Sequence, residues 1–323
     1  HTLPCASRID PAGVVAGKPR SAHIPPLMTT LLVVNPAAGH GRAARLAERT
    51  LQAAEAAWGR VDRIDTPAPG AAIALVRERG AAVERVVVLG GDGTAHEAAN
   101  GILALPPEAR PALAVVPAGT GNDFAKLVHT VGHTPEAAIT RLARGQVRRL
   151  DVGLAWGEYF LNSVGIGFDA DVAERLTRLR HGRGLPVYLL TVFRALGGRR
   201  PFRAEVQAGQ HSFQDRLLLL EVGNGPVVGG GFRITPQATP DDGLLDICAI
   251  QDMPLPLLLL RLPLVMLGRH LGLPQVRHFR CATLSVRSPD GELAVQFDGE
   301  VRRRAEPLEI RVLPGALPVL FGA

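Results

Sequence analysis

Apolar positions along the chain fall into two successive rhythms. In the first half, short unbroken apolar runs alternate with stretches whose apolar residues recur at helical spacing. Residues 31–35, 60–65, 86–89 and 113–116 predict strands, and 42–58, 71–79, 124–129 and 135–144 predict helices. A further helix follows the strand at 86–89, with Ala98, Ile102 and Leu105 on one face. Strands alternating with helices predict a parallel sheet flanked by helices. From about Leu150 the rhythm changes. Residues 159–164, 203–207, 213–222, 244–250, 280–287 and 293–297 predict strands joined by Gly-, Pro- and Asp-rich turns. Two helices, near 170–180 and 186–196, interrupt them. That pattern predicts a β-rich, mostly antiparallel second domain. A last strand at 308–313 is expected to return to the first domain. The expected layout is therefore an α/β N-terminal domain over 28–153, joined by 306–323, and a β-rich C-terminal domain over 154–305. Residues 1–27 are rich in Pro, Ala and Gly without periodicity, and predict a disordered or non-native extension.

Composition narrows the core and the partner. The 323 residues are 46% apolar but only 4% aromatic, so the core must be built from Ala, Val and Leu. A net charge of +6 suits an anionic partner: a nucleotide, a nucleic acid or an anionic lipid surface. No lysine-rich tail or aromatic-studded basic stretch argues for nucleic acid. Cys5, Cys248 and Cys281 form no CxxC pair, which fits a reducing cytosol better than a disulfide framework or a zinc site. The one long apolar stretch, 255–273, carries Pro256, Arg261, Pro263, Arg269 and His270, and suits a core or interfacial helix rather than a membrane span.

Candidate chemistry sits in the turns after the strands, where ligands on parallel sheets bind. Val86-Val87-Val88-Leu89 runs into Gly90-Gly91-Asp92-Gly93-Thr94. Three glycines free the backbone amides to approach an anion at a helix N-terminus. Asp92 adds a carboxylate, which is compatible with phosphate only if a divalent cation lies between them. This points to a metal-bound nucleoside polyphosphate; a tight turn with Asp92 as a helix cap is the plainer alternative. A third turn, Pro117-Ala118-Gly119-Thr120-Gly121-Asn122-Asp123, offers a hydroxyl, an Asn cap and a carboxylate for metal or acceptor. Asp123 reads equally well as a first-turn acid on the helix dipole. The first turn, Gly39-x-Gly41-x-x-Ala44 with Asp65 at the end of the next strand, is a passable dinucleotide fingerprint, but Pro36 and the long spacing to Asp65 oppose a dehydrogenase. There is no GxxxxGK[ST], which excludes a P-loop.

Together these turns carry a resemblance. Asn35-Pro36-x-x-Gly39, Gly90-Gly91-Asp92-Gly93-Thr94-x-x-Glu97 and Pro117-x-Gly119-Thr120-x-Asn122-Asp123-Phe124 resemble the bacterial diacylglycerol kinase family, the lipid kinases that include sphingosine kinase and phosphatidylglycerol kinase-like groups. Leu150-Asp151-Val152-Gly153, Asn224 with 229–231, 239–246 and Asp298-Gly299-Glu300 continue it, so that it spans nearly all of 28–323. The glycine turn alone is shared with NAD kinases and phosphofructokinases; the ordered set is far more specific.

The resemblance implies ATP and Mg2+ as cofactors and a lipid, diacylglycerol, as acceptor. It implies a nucleotide site of Asn35, Pro36, Ala37, Ala38, Gly39, Thr66, Gly91, Asp92, Gly93, Thr94, Ala95, His96, Glu97 and Thr120. His96 stands where many members carry Asn. It implies Glu300 as catalytic base, with Asp92, Asp123 and Asp151 supporting a catalytic metal and its waters. A structural Mg2+ would be held by the Asp242 side chain and the carbonyls of Thr239 and Leu244. Read alone, Asp298-Gly299-Glu300 and Asp241-Asp242-Gly243 are simple turns. Arg302-Arg303-Arg304 and the cluster Arg175, Arg178, Arg180 and Arg183 offer a surface for anionic lipid heads, or a merely solvated arginine-rich face. The expected setting is the cytoplasm, with transient contact at the inner face of the membrane and a homodimer as an open option. The same chemistry on phosphatidylglycerol or a sphingoid base, an NAD kinase-like activity and a non-catalytic lipid-binding module are the alternatives.

Overall fold

The computed structural model describes residues 30–132, 134–178, 185–229 and 231–323. The extension at 1–27, Arg180, Arg183 and Gly230 lie outside the described residues. The first half contains β1 (Thr30–Val34), α1 (Ala38–Trp58), β2 (Val61–Asp65), α2 (Ala71–Arg79), β3 (Arg85–Gly90), α3 (Asp92–Leu103), β4 (Ala112–Pro117), α4 (Asp123–Leu127) and α5 (Pro135–Arg144). Its four strands are parallel, in the order β2-β1-β3-β4.

The unbroken apolar run of β3 has a direct cause. Val86 and Val88 pack on one face of the sheet with Ala72, Val76, Ala98 and Ile102 of α2 and α3. Val87 and Leu89 pack on the other with Ala43 and Ala47 of α1 and Ile139 and Leu142 of α5. A strand covered on both faces has no polar side to alternate with. Each such side chain contributes roughly 1.5–3 kcal/mol by leaving water. The small residues on the helices let them lie close: at Gly101 of α3 a Cβ would come within 2.8 Å of the Ile73 carbonyl oxygen of α2.

The second half contains β5 (Gln146–Ala155), β6 (Glu158–Phe160), β7 (Ser163–Gly167), α6 (Phe168–Thr177), α7 (Leu185–Gly197), β8 (Phe202–Ala208), β9 (His211–Gly223), β10 (Leu245–Gln251), α8 (Leu255–Met266), β11 (Val276–Cys281), β12 (Thr283–Arg287), β13 (Leu293–Phe297), β14 (Glu300–Arg304) and β15 (Leu308–Phe321). Its strand pairs are antiparallel. α6, α7 and α8 cover one apolar layer built around Leu218, Phe232 and Ile250. No helix among the described residues is long and apolar enough to cross a membrane; α8 ends at Met266.

Two strands join the halves. β15 pairs in parallel with β4 at Val319 and Leu113, and antiparallel with β5 along most of its length. β5 itself begins at Gln146, within the stretch expected to belong wholly to the first domain, and runs past its end to Ala155. The two halves therefore share hydrogen-bonded strands, and this fixes the turns of the first against the β7 and β13 ends of the second.

Candidate active site

Three glycine turns close on one another beyond the carboxyl ends of β1, β3 and β4. A Cβ at Gly39 would lie 2.0 Å from the Ala118 carbonyl oxygen, one at Gly119 2.6 Å from the Gly91 Cα, and one at Gly121 2.9 Å from Asp92 Oδ2. Side chains at these points would push the turns apart. Gly39, His40 and Gly41 also hold left-handed φ angles of 58°, 57° and 79°, so the entry to α1 is a backbone loop rather than helix. The turns wall a cleft of about 540 Å3. Its first-domain lining includes Asn35, Ala38, Gly91, Asp92, Thr120 and Asp123, together with Gly93 and Gly121. Its second-domain wall includes Asn162, Ser163, Asp169, Tyr188, Gln296 and Asp298.

The residues expected at the nucleotide divide by role. Asn35 donates from Nδ2 to Thr94 Oγ1 at 2.9 Å and accepts the Ala37 N–H at 3.1 Å, which fixes the Asn35-Pro36-Ala37 turn against α3. Thr66 is buried and donates its N–H to the Val34 carbonyl. Ala95 is core. Glu97 accepts the N–H groups of Gly70 at 2.8 Å and Ala72 at 3.2 Å, so it caps the start of α2. Thr66, Ala95, His96 and Glu97 thus shape the turns without lining the cleft. The Asn122 side chain does not cap α4; it donates to the Gly119 carbonyl, and Asp92 Oδ1 accepts the Phe124 N–H instead.

Electrostatically the cleft is acidic. Burial, and then the nearby Asp123 carboxylate, pushes Asp92 up to about 6. Asp123 accepts from Lys126 Nζ at 2.6 Å. Two hard carboxylates, one strained by burial, beside open glycine amides fit a divalent cation carrying phosphate.

Other expected ligands are differently placed. Asp151 accepts the N–H groups of Gly243 at 2.6 Å and Gly315 at 2.8 Å, and so staples the 239–244 turn to β15. Asp242 accepts the Leu244 N–H at 3.0 Å and pairs with Arg280, which also reaches Asp246 at 3.3 Å. A guanidinium supplies the positive charge at Asp242 in this arrangement, as the Lys126 ammonium does at Asp123. Glu300 opens β14, half-exposed, with Oε2 accepting from Arg302 at 2.9 Å. It is not on the cleft wall, although Asp298 and Gly299 beside it are. Arg302, Arg303 and Arg304 are each paired with acids: Glu158 and Glu300, Glu174 and Asp171, and Glu306.

The residue that local patterns left without a role is Asp298. It is buried with a left-handed φ of 47°, and Gly299 follows at 101°. Its oxygens accept the N–H groups of Leu161, Asn162 and Ser163 at 2.7, 3.0 and 3.0 Å, and His96 Nδ1 lies 2.9 Å away. It therefore ties α3 of the first domain to the β6–β7 link of the second. An acid directly before glycine at a hairpin turn is the signal that marks it.

Comparison with known proteins agrees with this arrangement. Residues 29–155 match the diacylglycerol kinase catalytic domain, and 162–321 match the YegS C-terminal NAD kinase beta sandwich-like domain. A diacylglycerol kinase of Mycobacterium tuberculosis is 31% identical over 303 residues, covering 89% of this chain and 93% of the relative. The chain belongs to the diacylglycerol kinase family. A YegS-like lipid kinase relative from Pseudomonas fluorescens is 33% identical over 264 residues, covering 79% of this chain and 86% of the relative. The crystal structure of a diacylglycerol kinase from Bacillus anthracis str. Sterne has the same fold, with a TM-score of 0.70 at 24% identity over 92% of this chain and 97% of that one. A second structure from that organism reaches 0.76 at 27% identity over the same shares. The α/β half and the mostly antiparallel half of the kinase family are thus both present, and the chain is a lipid kinase by family.

Proposed function

We propose that the protein transfers the γ-phosphate of ATP to the hydroxyl of diacylglycerol, giving phosphatidic acid. One observation carries the reading: the cleft that holds Asp92 and Thr120 on one wall shares Asp169 and Tyr188 with an apolar pocket of about 80 Å3 beneath α6, α7 and α8. A polyphosphate fits the first space and the start of an acyl chain the second.

Phosphoryl transfer depends mainly on positioning and charge neutralisation. The amides around Gly91, Gly93 and Gly121 face the phosphates, and Thr120 adds a hydroxyl. Asp92 and Asp123 would hold Mg2+, which would supply positive charge against the phosphoryl oxygens. Asp92 then serves the cation and is a poor base. Glu300, one residue beyond the cleft wall, takes the proton from the acceptor hydroxyl once it leaves Arg302; such help contributes about 10²- to 10⁴-fold. The exposed Leu190 and Phe193 of α7 and Leu259 and Leu260 of α8 suit transient contact with a bilayer at the inner face of the membrane. With Arg302–304 each paired to acids, these apolar side chains are the better membrane contact.

The test is incubation of the purified protein with labelled ATP, Mg2+ and dispersed diacylglycerol, phosphatidylglycerol, sphingosine and NAD. Labelled phosphatidic acid is the expected product. Label in NAD alone, or in nothing, contradicts the proposal.

A further inference from the structure

Asp169 and Tyr188 line both the polar cleft and the apolar pocket, so they stand between the two. Asp169 is buried, and both Gln296 and the Tyr188 hydroxyl hydrogen-bond its carboxyl. Glu221 of β9 lies behind it, fully buried. The two carboxyls crowd the same side of Gly165 in β7: a Cβ there would lie 2.3 Å from Asp169 Oδ2 and 2.8 Å from Glu221 Oε2. Only glycine leaves room for the pair. Burial, and then the Asp169 charge, pushes Glu221 well above the ordinary carboxylate range, and burial pushes Asp169 up to about 6. A buried carboxylate is costly unless donors meet it. Two are supplied by the protein, and the open side of Asp169 faces the cleft.

The cleft wall carries Asp92, Asp123, Asp169 and Asp298; Lys126 pairs with Asp123 and His96 with Asp298.

We infer that Asp169 is the residue that positions the acceptor, accepting a hydrogen bond from a hydroxyl-bearing lipid head while the chain enters the apolar pocket. This rests on the lipid kinase reading above. Gln296 and Tyr188 hold the Asp169 carboxyl in place, and Glu221 lies behind it.

Asp169→Asn and Tyr188→Phe test it, with separate KM values for dioleoylglycerol in detergent micelles and for ATP. Asp169→Asn is expected to raise the lipid KM at least about tenfold with the ATP KM within about twofold, and Tyr188→Phe to raise the lipid KM about three- to fivefold. An unchanged lipid KM in both variants, or equal rises in both KM values, overturns the role of Asp169. Equilibrium binding of pyrene-labelled diacylglycerol without ATP reads the same site without turnover, and Asp169→Asn is expected to weaken it by a similar factor. Unchanged binding overturns the inference. If Asp169→Asn does not fold, Tyr188→Phe decides by the same measurements. A wild type that binds the probe but phosphorylates no lipid counts against the kinase reading and leaves the binding comparison to judge Asp169.

Discussion

Asp298→Asn changes one carboxylate oxygen to an amide and keeps the side chain's size. In the native protein Oδ1 accepts from the N–H groups of Asn162 and Ser163, and Oδ2 from the Leu161 N–H and His96. Asparagine keeps one acceptor oxygen, so its NH2 must face two donors. Each lost hydrogen bond to a charged group is worth about 1.5–3 kcal/mol, so the two together cost about 3–6 kcal/mol. In a protein of this size each kcal/mol moves Tm by roughly 2–4 °C, so the melting point should fall by about 10 °C. Burial favours the neutral form of Asp298, but the His96 bond and charge and the backbone N–H groups outweigh it and hold the carboxyl below its ordinary value. That stability is present above the ordinary carboxylate range and is lost as pH falls through the lowered native value. For His96, burial opposes the charge, and the Asp298 bond and charge outweigh it to raise the imidazole above 6.5. Its share is present below 6.5 and is lost as pH rises through the raised value. The difference in Tm between wild type and variant, followed by calorimetry from acid to mildly alkaline pH, should therefore be largest between those limits and narrow in acid. A difference under about 2 °C between them would refute the reasoning.

Other outcomes follow from the same contacts. Gly119→Ala sets a Cβ 2.6 Å from the Gly91 Cα, so it should raise the ATP KM at least about tenfold and cost about 1–3 kcal/mol in urea melts. Glu97→Gln weakens the α2 cap, so Tm should drop by a few degrees, about 1 kcal/mol, while the ATP KM stays within about twofold. A larger KM change would return Glu97 to the nucleotide. EDTA should leave the Tm of the nucleotide-free protein unchanged, because Arg280 already neutralises Asp242, whereas Arg280→Ala should lower it by several degrees. A chelator-induced drop in the wild type would restore the structural cation.

What was legible in the sequence was local. β3 could be read because burial on both faces demands an unbroken apolar run, and the three turns could be read because their glycines must approach one another. β5 was hidden because its first four residues are exposed and its partner, β15, lies far along the chain. β14 was hidden because a strand of Arg302–304 on the sheet edge shows no apolar alternation. The same limit applies at the site. Asp92 announced itself through its glycines, whereas the role of Asp298 depends on His96, 202 residues away. Asp169, Glu221 and Tyr188 come together only when α6, β9 and α7 are folded.

The measurement closest to the central claim is transfer of label from γ-labelled ATP to dispersed dioleoylglycerol by the wild type and by Glu300→Gln. Labelled phosphatidic acid that requires Mg2+ is the expected result, with turnover at least about 100-fold slower in the variant and nucleotide binding intact. Full turnover in Glu300→Gln would remove Glu300 as the base, and no label in any lipid from the wild type would contradict the lipid kinase reading itself.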